Sequence, residues 1–174
     1  NTGEALLGFA VLMYGMELMS EAVSPLANSS QFTSILAFFN NPAFGILAGT
    51  LFTALIQSSA ASIGILQALS MTGSITYGMA IPIIMGQNIG TCITAILSAI
   101  SANRSGKRVA AIHVSFNVIG TLVVCAIFYP LNAAMQFAFL DESIDPVEIA
   151  LVHSMFNIFT TALLLPFTKQ LVRL

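Results

Sequence analysis

The sequence predicts an all-α membrane protein, a helical bundle that contains a re-entrant hairpin and broken helices. Three observations carry this expectation. The 174-residue chain is 57% hydrophobic and only 7% charged, whereas a soluble domain carries about 25% charged residues. The charges are also clustered: none falls between Glu21 and Arg104, which leaves 82 consecutive uncharged residues. So few charges cannot cover a water-facing surface, but they suffice where hydrocarbon is the solvent. Finally, the apolar runs inside this stretch are too short to cross a bilayer and stop at knots of small polar residues.

Residues 5–23 form a long apolar helix, with Gly8 and Gly15 suited to close helix packing and Glu17 and Glu21 one turn apart near its end. The segment around it, 1–30, is taken as the first helical unit. Asn1 to Glu4 contain no basic residue, and no Met opens the chain, so the start reads as a cut or processed boundary rather than a signal peptide. Residues 31–42 are short and amphipathic, fit for the membrane interface. Asn41-Pro42 then opens a helix, Asn as cap and Pro at the first helical position.

Residues 43–103 are predicted to hold the hairpin and the broken helices. The run 43–56 stops at Gln57-Ser58-Ser59, and 60–71 stops at Thr72-Gly73-Ser74. The run 75–85 stops at Gly86-Gln87-Asn88-Ile89-Gly90-Thr91, and 92–102 ends at a basic loop over 104–108. Two polar, glycine-associated interruptions in succession are the pattern of broken helices in membranes. Residues 109–129 and 149–171 read as transmembrane helices, the second opened by Asp145-Pro146-Val147-Glu148 in the order of a capped helix start. Together these make a single transmembrane unit over 1–174. Lys and Arg fall at 104–108 and at Lys169 and Arg173, and acidic residues at 141–148, so the basic loop and C-terminus are expected on the cytoplasmic side.

A chain break at membrane depth frees backbone groups, which is costly unless they are buried in protein or line a wet cavity. At Gln57-Ser58-Ser59 the following half-helix offers N–H groups and a positive dipole end, which suit an anion. The two hydroxyls and the Gln57 amide add donors. At the second interruption, Asn88, Thr91 and Thr94 are neutral oxygen donors, and the threonines share one helix face. Such a set fits a monovalent cation better than a divalent one, which recruits carboxylates. With no Lys or Arg nearby, an anion there requires a co-bound cation for charge compensation. His113, Asn117 and Thr121 on one helix, and His153, Asn157 and Thr161 on another, form two polar stripes that must face protein. They are read either as interhelical hydrogen-bond rails or as accessory groups. Cys92 and Cys125 lie in apolar runs as small buried hydrophobes.

With TALIQSSAAS at 53–62, GQNIGTCITAIL at 86–97 and the spacing between them, the chain resembles the type II sodium/phosphate cotransporter family and its bacterial relatives. The likeness extends to GFAVLMYGMELMSEAVSPL at 8–26 and to the His-x-x-Phe-Asn helices. It implies one half, the second of two inverted repeats, of a sodium-dependent phosphate transporter in the bacterial inner membrane. The partners implied are phosphate, membrane lipid and a second repeat; nucleic acid is not among them. By this resemblance Gln57, Ser58 and Ser59 contact substrate, and Asn88, Thr91 and Thr94, with Gln57, belong to the sodium site. His113, Asn117, His153 and Asn157 are accessory candidates. Sodium is a co-substrate, and no other metal is implied. Ala60 stands where the family often has a third serine and Cys92 where it often has a threonine, so one hydroxyl is lost at each motif.

Two other readings stay open on the sequence. One is a membrane scaffold or regulatory module without transport. The other is a water or solute channel, since Asn41-Pro42-Ala43 matches the aquaporin signature, although the helix-cap explanation suffices. An enzyme is not expected, because no carboxylate pair, metal-ligand set or nucleophile elbow falls at membrane depth.

Overall fold

In a computed structural model, residues 2–25 and 29–172 are described, and they are helical nearly throughout. Arg173, expected to lie in the C-terminal basic cluster, and Leu26, in the leading motif, fall outside them. Among the described residues, four helical stretches are long and apolar enough to cross a membrane: Thr2–Ala22, Tyr77–Ile100, Arg104–Met135 and Pro146–Leu171.

The chain opens with α1 (Thr2–Val23), whose apolar side chains point mostly outward and which rests on the rest of the bundle through Met19. A short α2 (Ser30–Phe38) follows. Helix α3 (Pro42–Ile56) starts as the sequence dictates, with the Asn41 side chain accepting from the Ala43 N–H at 3.0 Å and Pro42 at its first turn. It ends at Gln57, which adopts the left-handed conformation with φ 58° and donates its N–H to Thr53 O at 2.8 Å. Ser58 then caps α4 (Ser59–Ser70) by accepting from the Ala61 N–H at 3.2 Å. At about 1.5 Å per residue, α3 and α4 reach about 22 and 18 Å, short of the roughly 30 Å hydrocarbon core. They form a hairpin whose tip is Gln57-Ser58.

The second expected break is not there. Helix α5 (Tyr77–Gly90) runs straight through Gly86-Gln87-Asn88-Ile89-Gly90. Only Thr91 separates it from α6 (Cys92–Ile100), and Thr91 keeps helical angles (φ −59°, ψ −23°) with its N–H bonded to Gln87 O at 3.1 Å. The glycines have another use. A Cβ at Gly86 would strike the carbonyl of Ile46, one at Gly49 the carbonyl of Ile83, and one at Gly45 the Pro82 ring. At Gly90 it would lie 2.7 Å from Thr53 Cβ. So α3 and α5 lie parallel with their backbones touching, the small-residue interface favoured where lipid removes the hydrophobic drive. The Thr50 hydroxyl closes the contact, donating to Ile46 O (2.8 Å) and Gly86 O (3.1 Å).

Helix α7 (Arg104–Met135) is longer than the 109–129 span expected. Asn103 caps it, accepting from Gly106 N–H at 2.9 Å, so the basic cluster of Arg104, Lys107 and Arg108 forms its first turns instead of a loop. Gln136, left-handed at φ 50°, ends it. Helix α8 (Pro146–Leu164) begins in the capping box read from the sequence: Glu148 N–H donates to Asp145 Oδ1 at 2.7 Å and Asp145 N–H to Glu148 Oε2 at 2.8 Å. Helices α7 and α8 meet closely where Gly120 faces the Thr160 side chain.

The bundle thus has a basic end, where α7 starts, and an acidic end, where the 141–148 connection lies. The acidic end is tied together. Ile144 N–H donates to Ile75 O at 3.0 Å, Tyr77 N–H to Glu142 O at 3.1 Å, and the Ser143 hydroxyl to Gly73 O at 3.1 Å. Gln67 Nε2 reaches Pro146 O at 2.8 Å and joins α4 to α8. Beneath these bonds sits the apolar core, with Ile75 and Ile144 1% exposed and Ile149 fully buried against Leu36, Leu66 and Ile84.

Candidate functional site

At the hairpin tip the Gln57 side chain is exposed, and Ser58 and Ser59 are half-buried. The Ser58 hydroxyl is engaged as the helix cap, so its proton remains to be donated. The side chains of Gln57 and Ser59 make no hydrogen bond among the described residues. Helix α4 starts here, and its first N–H groups have no intrahelical acceptor. The tip therefore presents hydrogen-bond donors and a positive dipole end in a region without Lys or Arg.

Because α3 and α5 run parallel, with Gly45 at Pro82 and Gly90 at Thr50 and Thr53, the end of α3 comes alongside Thr91 and the start of α6. Asn88 is buried, 7% exposed, and its amide donates to Ile84 O at 2.9 Å. The Thr91 hydroxyl donates to the Asn88 carbonyl, and the Thr94 hydroxyl to Thr91 O at 3.0 Å. Each threonine proton is thus committed to the backbone, which leaves the hydroxyl oxygen able to accept. Thr91 is half-buried and Thr94 exposed. No hydrogen bond joins Gln57, Ser58 or Ser59 to Asn88, Thr91 or Thr94 among the described residues.

A second tie between the hairpin and α5, beside the Thr50–Gly86 bond, is a grouping of Thr53, Ser62 and Gln87 that sequence reasoning did not bring together. The hydroxyls of Thr53 and Ser62, both fully buried, lie 2.7 Å apart across the hairpin. Gln87, 2% exposed, donates its amide N–H groups to Ser62 Oγ at 2.9 Å and Ser62 O at 3.1 Å. A signal was available. Thr53 stands four residues before Gln57, and Ser62 four residues after Ser58. One helical turn on each side of a tight hairpin tip puts two residues face to face.

The two His-Asn stripes are interhelical rails only in part: the asparagines bond within their helices, and the α7 stripe also bonds across to α5 and α6. Asn117 Nδ2 donates to His113 O at 3.0 Å and Asn157 Nδ2 to His153 O at 2.8 Å, each within its own helix. The stripe on α7 faces the α5–α6 joint: Cys92 Sγ lies 3.7 Å from His113 O, and Thr121 Oγ1 3.5 Å from Met85 O. On α8, His153 and Asn157 are half-buried and Thr161 is exposed.

Membrane-length apolar helices packed with a hairpin too short to span suit a membrane protein, and comparison with known proteins gives its family. The family profile described as Na+/Pi-cotransporter matches residues 2–147, and the chain belongs to that family. Among its relatives is YqeW of Bacillus subtilis, called an uncharacterized protein, 34% identical over 99% of this chain and 55% of that protein. Sodium-dependent phosphate transport protein 2B of Pongo abelii is 32% identical over 97% of this chain and 25% of its own length. YjbB of Salmonella typhimurium, provisionally named an inorganic phosphate export protein, is 26% identical over 98% of this chain and 31% of its length. The chain thus spans about half of the first relative and a third or less of the other two. No solved structure matches it.

Proposed function

We propose that this chain is one repeat of a sodium-coupled phosphate transporter, and that it does not act as an enzyme. The observation that carries the reading is the hairpin tip at Gln57-Ser58, where two helices too short to span a membrane meet beside Thr91 and Thr94. Family membership supports phosphate as the cargo. In this reading Gln57, Ser58, Ser59 and the α4 N-terminus hold the oxyanion through neutral donors. Asn88, Thr91, Thr94 and the Gln57 carbonyl hold sodium through neutral oxygens, even though the helix there is unbroken. Sodium offsets the anion's charge in a site with no cationic side chain, and this couples the two fluxes. A second repeat completes the site. The protein sits in the bacterial inner membrane with its basic end in the cytoplasm, following the distribution of Lys and Arg. His113, Asn117, His153 and Asn157 support the site from α7 and α8.

Uptake of labelled phosphate into proteoliposomes tests the reading. Uptake should need an inward sodium gradient and fall to background when choline replaces sodium; unchanged uptake in choline refutes sodium coupling. Similarity to YjbB favours a second reading, in which the same site works for export. Efflux from phosphate-loaded vesicles that exceeds uptake under mirrored gradients would select it.

A further inference from the structure

Helix α7 opens against the usual electrostatics of a helix start. Its first turns carry Arg104, Lys107 and Arg108, all exposed. The N-terminus is the positive end of the helix dipole, where carboxylates are favoured and cations are not. Arg104 and Arg108 stand one turn apart, so like charges also face each other. The cap, Asn103, is neutral, and none of the three cations makes an ion pair among the described residues. The patch also faces away from the bundle. Ala110, Asn117, Gly120 and Thr121 form the buried face of α7. At about 3.6 residues per turn, positions 104, 107 and 108 fall on the far side of the helix. Ala111 and Leu122 lie beneath them on that side; Ala111 is exposed and Leu122 is 63% exposed. Because α7 is long enough to cross a membrane, its first turns sit at headgroup depth and this apolar stripe at acyl-chain depth.

We propose that the start of α7 binds an anionic phospholipid, whose phosphate takes the three cations while an acyl chain lies along the stripe from Ala111 to Leu122. The bound anion offsets both the like-charge repulsion and the unfavourable dipole. A zwitterionic lipid does this less well, because its headgroup brings a cation of its own. Free phosphate matches the charges but leaves the stripe unused. The inference needs only the membrane setting of α7 and stands whatever the cargo is.

The chain contains no tryptophan, so one introduced residue reports from a chosen place. Ala111→Trp puts the reporter under the patch. Leu165→Trp, at a residue 64% exposed, puts it at the same end of the bundle, one turn from Lys169. The full chain is reconstituted in mixed phosphatidylglycerol and phosphatidylcholine vesicles, with one lipid at a time brominated on its acyl chains to quench a neighbouring tryptophan. At Ala111→Trp we expect phosphatidylglycerol to be preferred at least about fivefold, the effect of one cation near an anionic surface. At Leu165→Trp the preference should be close to one. Adding Arg104→Gln, Lys107→Gln and Arg108→Gln together should bring the first reporter to the same value. Inorganic phosphate, added at constant ionic strength, should leave the preference unchanged. Equal preference at the two reporters overturns the proposal, since the whole charged end then attracts lipid without a site. A preference near one under the unaltered patch, or one that survives the triple change, overturns it as well. Loss of the preference on adding phosphate does so too and assigns the patch to the free ion.

Discussion

The segments 57–59 and 86–91 are alike in character and opposite in structure. Both are short, polar and set in apolar surroundings, and the second has the glycines that a chain break would want. Yet the first reverses the chain with no glycine at all, through Gln57 at φ 58°, while the second continues as helix. The neighbour decides. Gly86 and Gly90 face the backbone of α3 and are needed for their missing side chains, not for their freedom of φ. At the tip Gln57 is exposed, and Ser58 supplies the cap that a new helix needs. In a membrane helix, glycine therefore signals close approach as readily as it signals a turn.

The largest effect we expect comes from filling the α3–α5 contact. Gly86→Val drives side-chain atoms into the Ile46 carbonyl and should cost more than about 3 kcal/mol, seen as loss of the monodisperse peak in detergent. A folded variant with an unchanged melting temperature would mean that the helices stand further apart. Next, Ser62→Ala takes the Thr53 partner and one of the two Gln87 acceptors, at a cost of about 1–3 kcal/mol in a thermal melt. Phosphate transport should fall with it if hairpin position matters.

Ser58 separates cap from ligand. Ser58→Ala should lower stability by about 1 kcal/mol, and Ser58→Gly by only a few tenths, but both remove the hydroxyl and should depress phosphate uptake equally. Uptake that tracks stability instead would reduce Ser58 to a cap. The smallest shift is at the tip: Gln57→Gly relieves a left-handed backbone and should raise stability by up to about 1 kcal/mol. Uptake should nevertheless drop, because the amide is gone. A variant that gains stability and keeps full sodium-dependent uptake would remove Gln57 from both proposed ligand sets.

Much of this was legible in the sequence. Asn41-Pro42 and Asp145-Pro146-Val147-Glu148 name their helix starts because capping is local chemistry that needs no tertiary partner. The hairpin was legible because two short apolar runs around Gln57-Ser58-Ser59 cannot span. The continuity of α5 was not, because it depends on α3 lying against Gly86 and Gly90, and composition alone does not distinguish packing from turning. The extra length of α7 was missed for a related reason. Its first turns carry Arg104, Lys107 and Arg108, which polarity assigns to a loop but Asn103 caps into helix. In the Thr53–Ser62–Gln87 set, the pairing of Thr53 with Ser62 could be read from their spacing about the tip, but the approach of Gln87 depends on how α5 packs.

The bonds at the acidic end have a mechanical consequence. With Ile75 joined to Ile144 and Gln67 to Pro146, one end of the bundle serves as a fulcrum. The hairpin is also held to α5 along its length, through the glycine contacts of α3, the Thr50–Gly86 bond and the Gln87–Ser62 bonds, so α3, α4 and α5 are tied as one piece. Displacing the Gln57 end therefore means moving the long helix α5 with it, and not the hairpin alone.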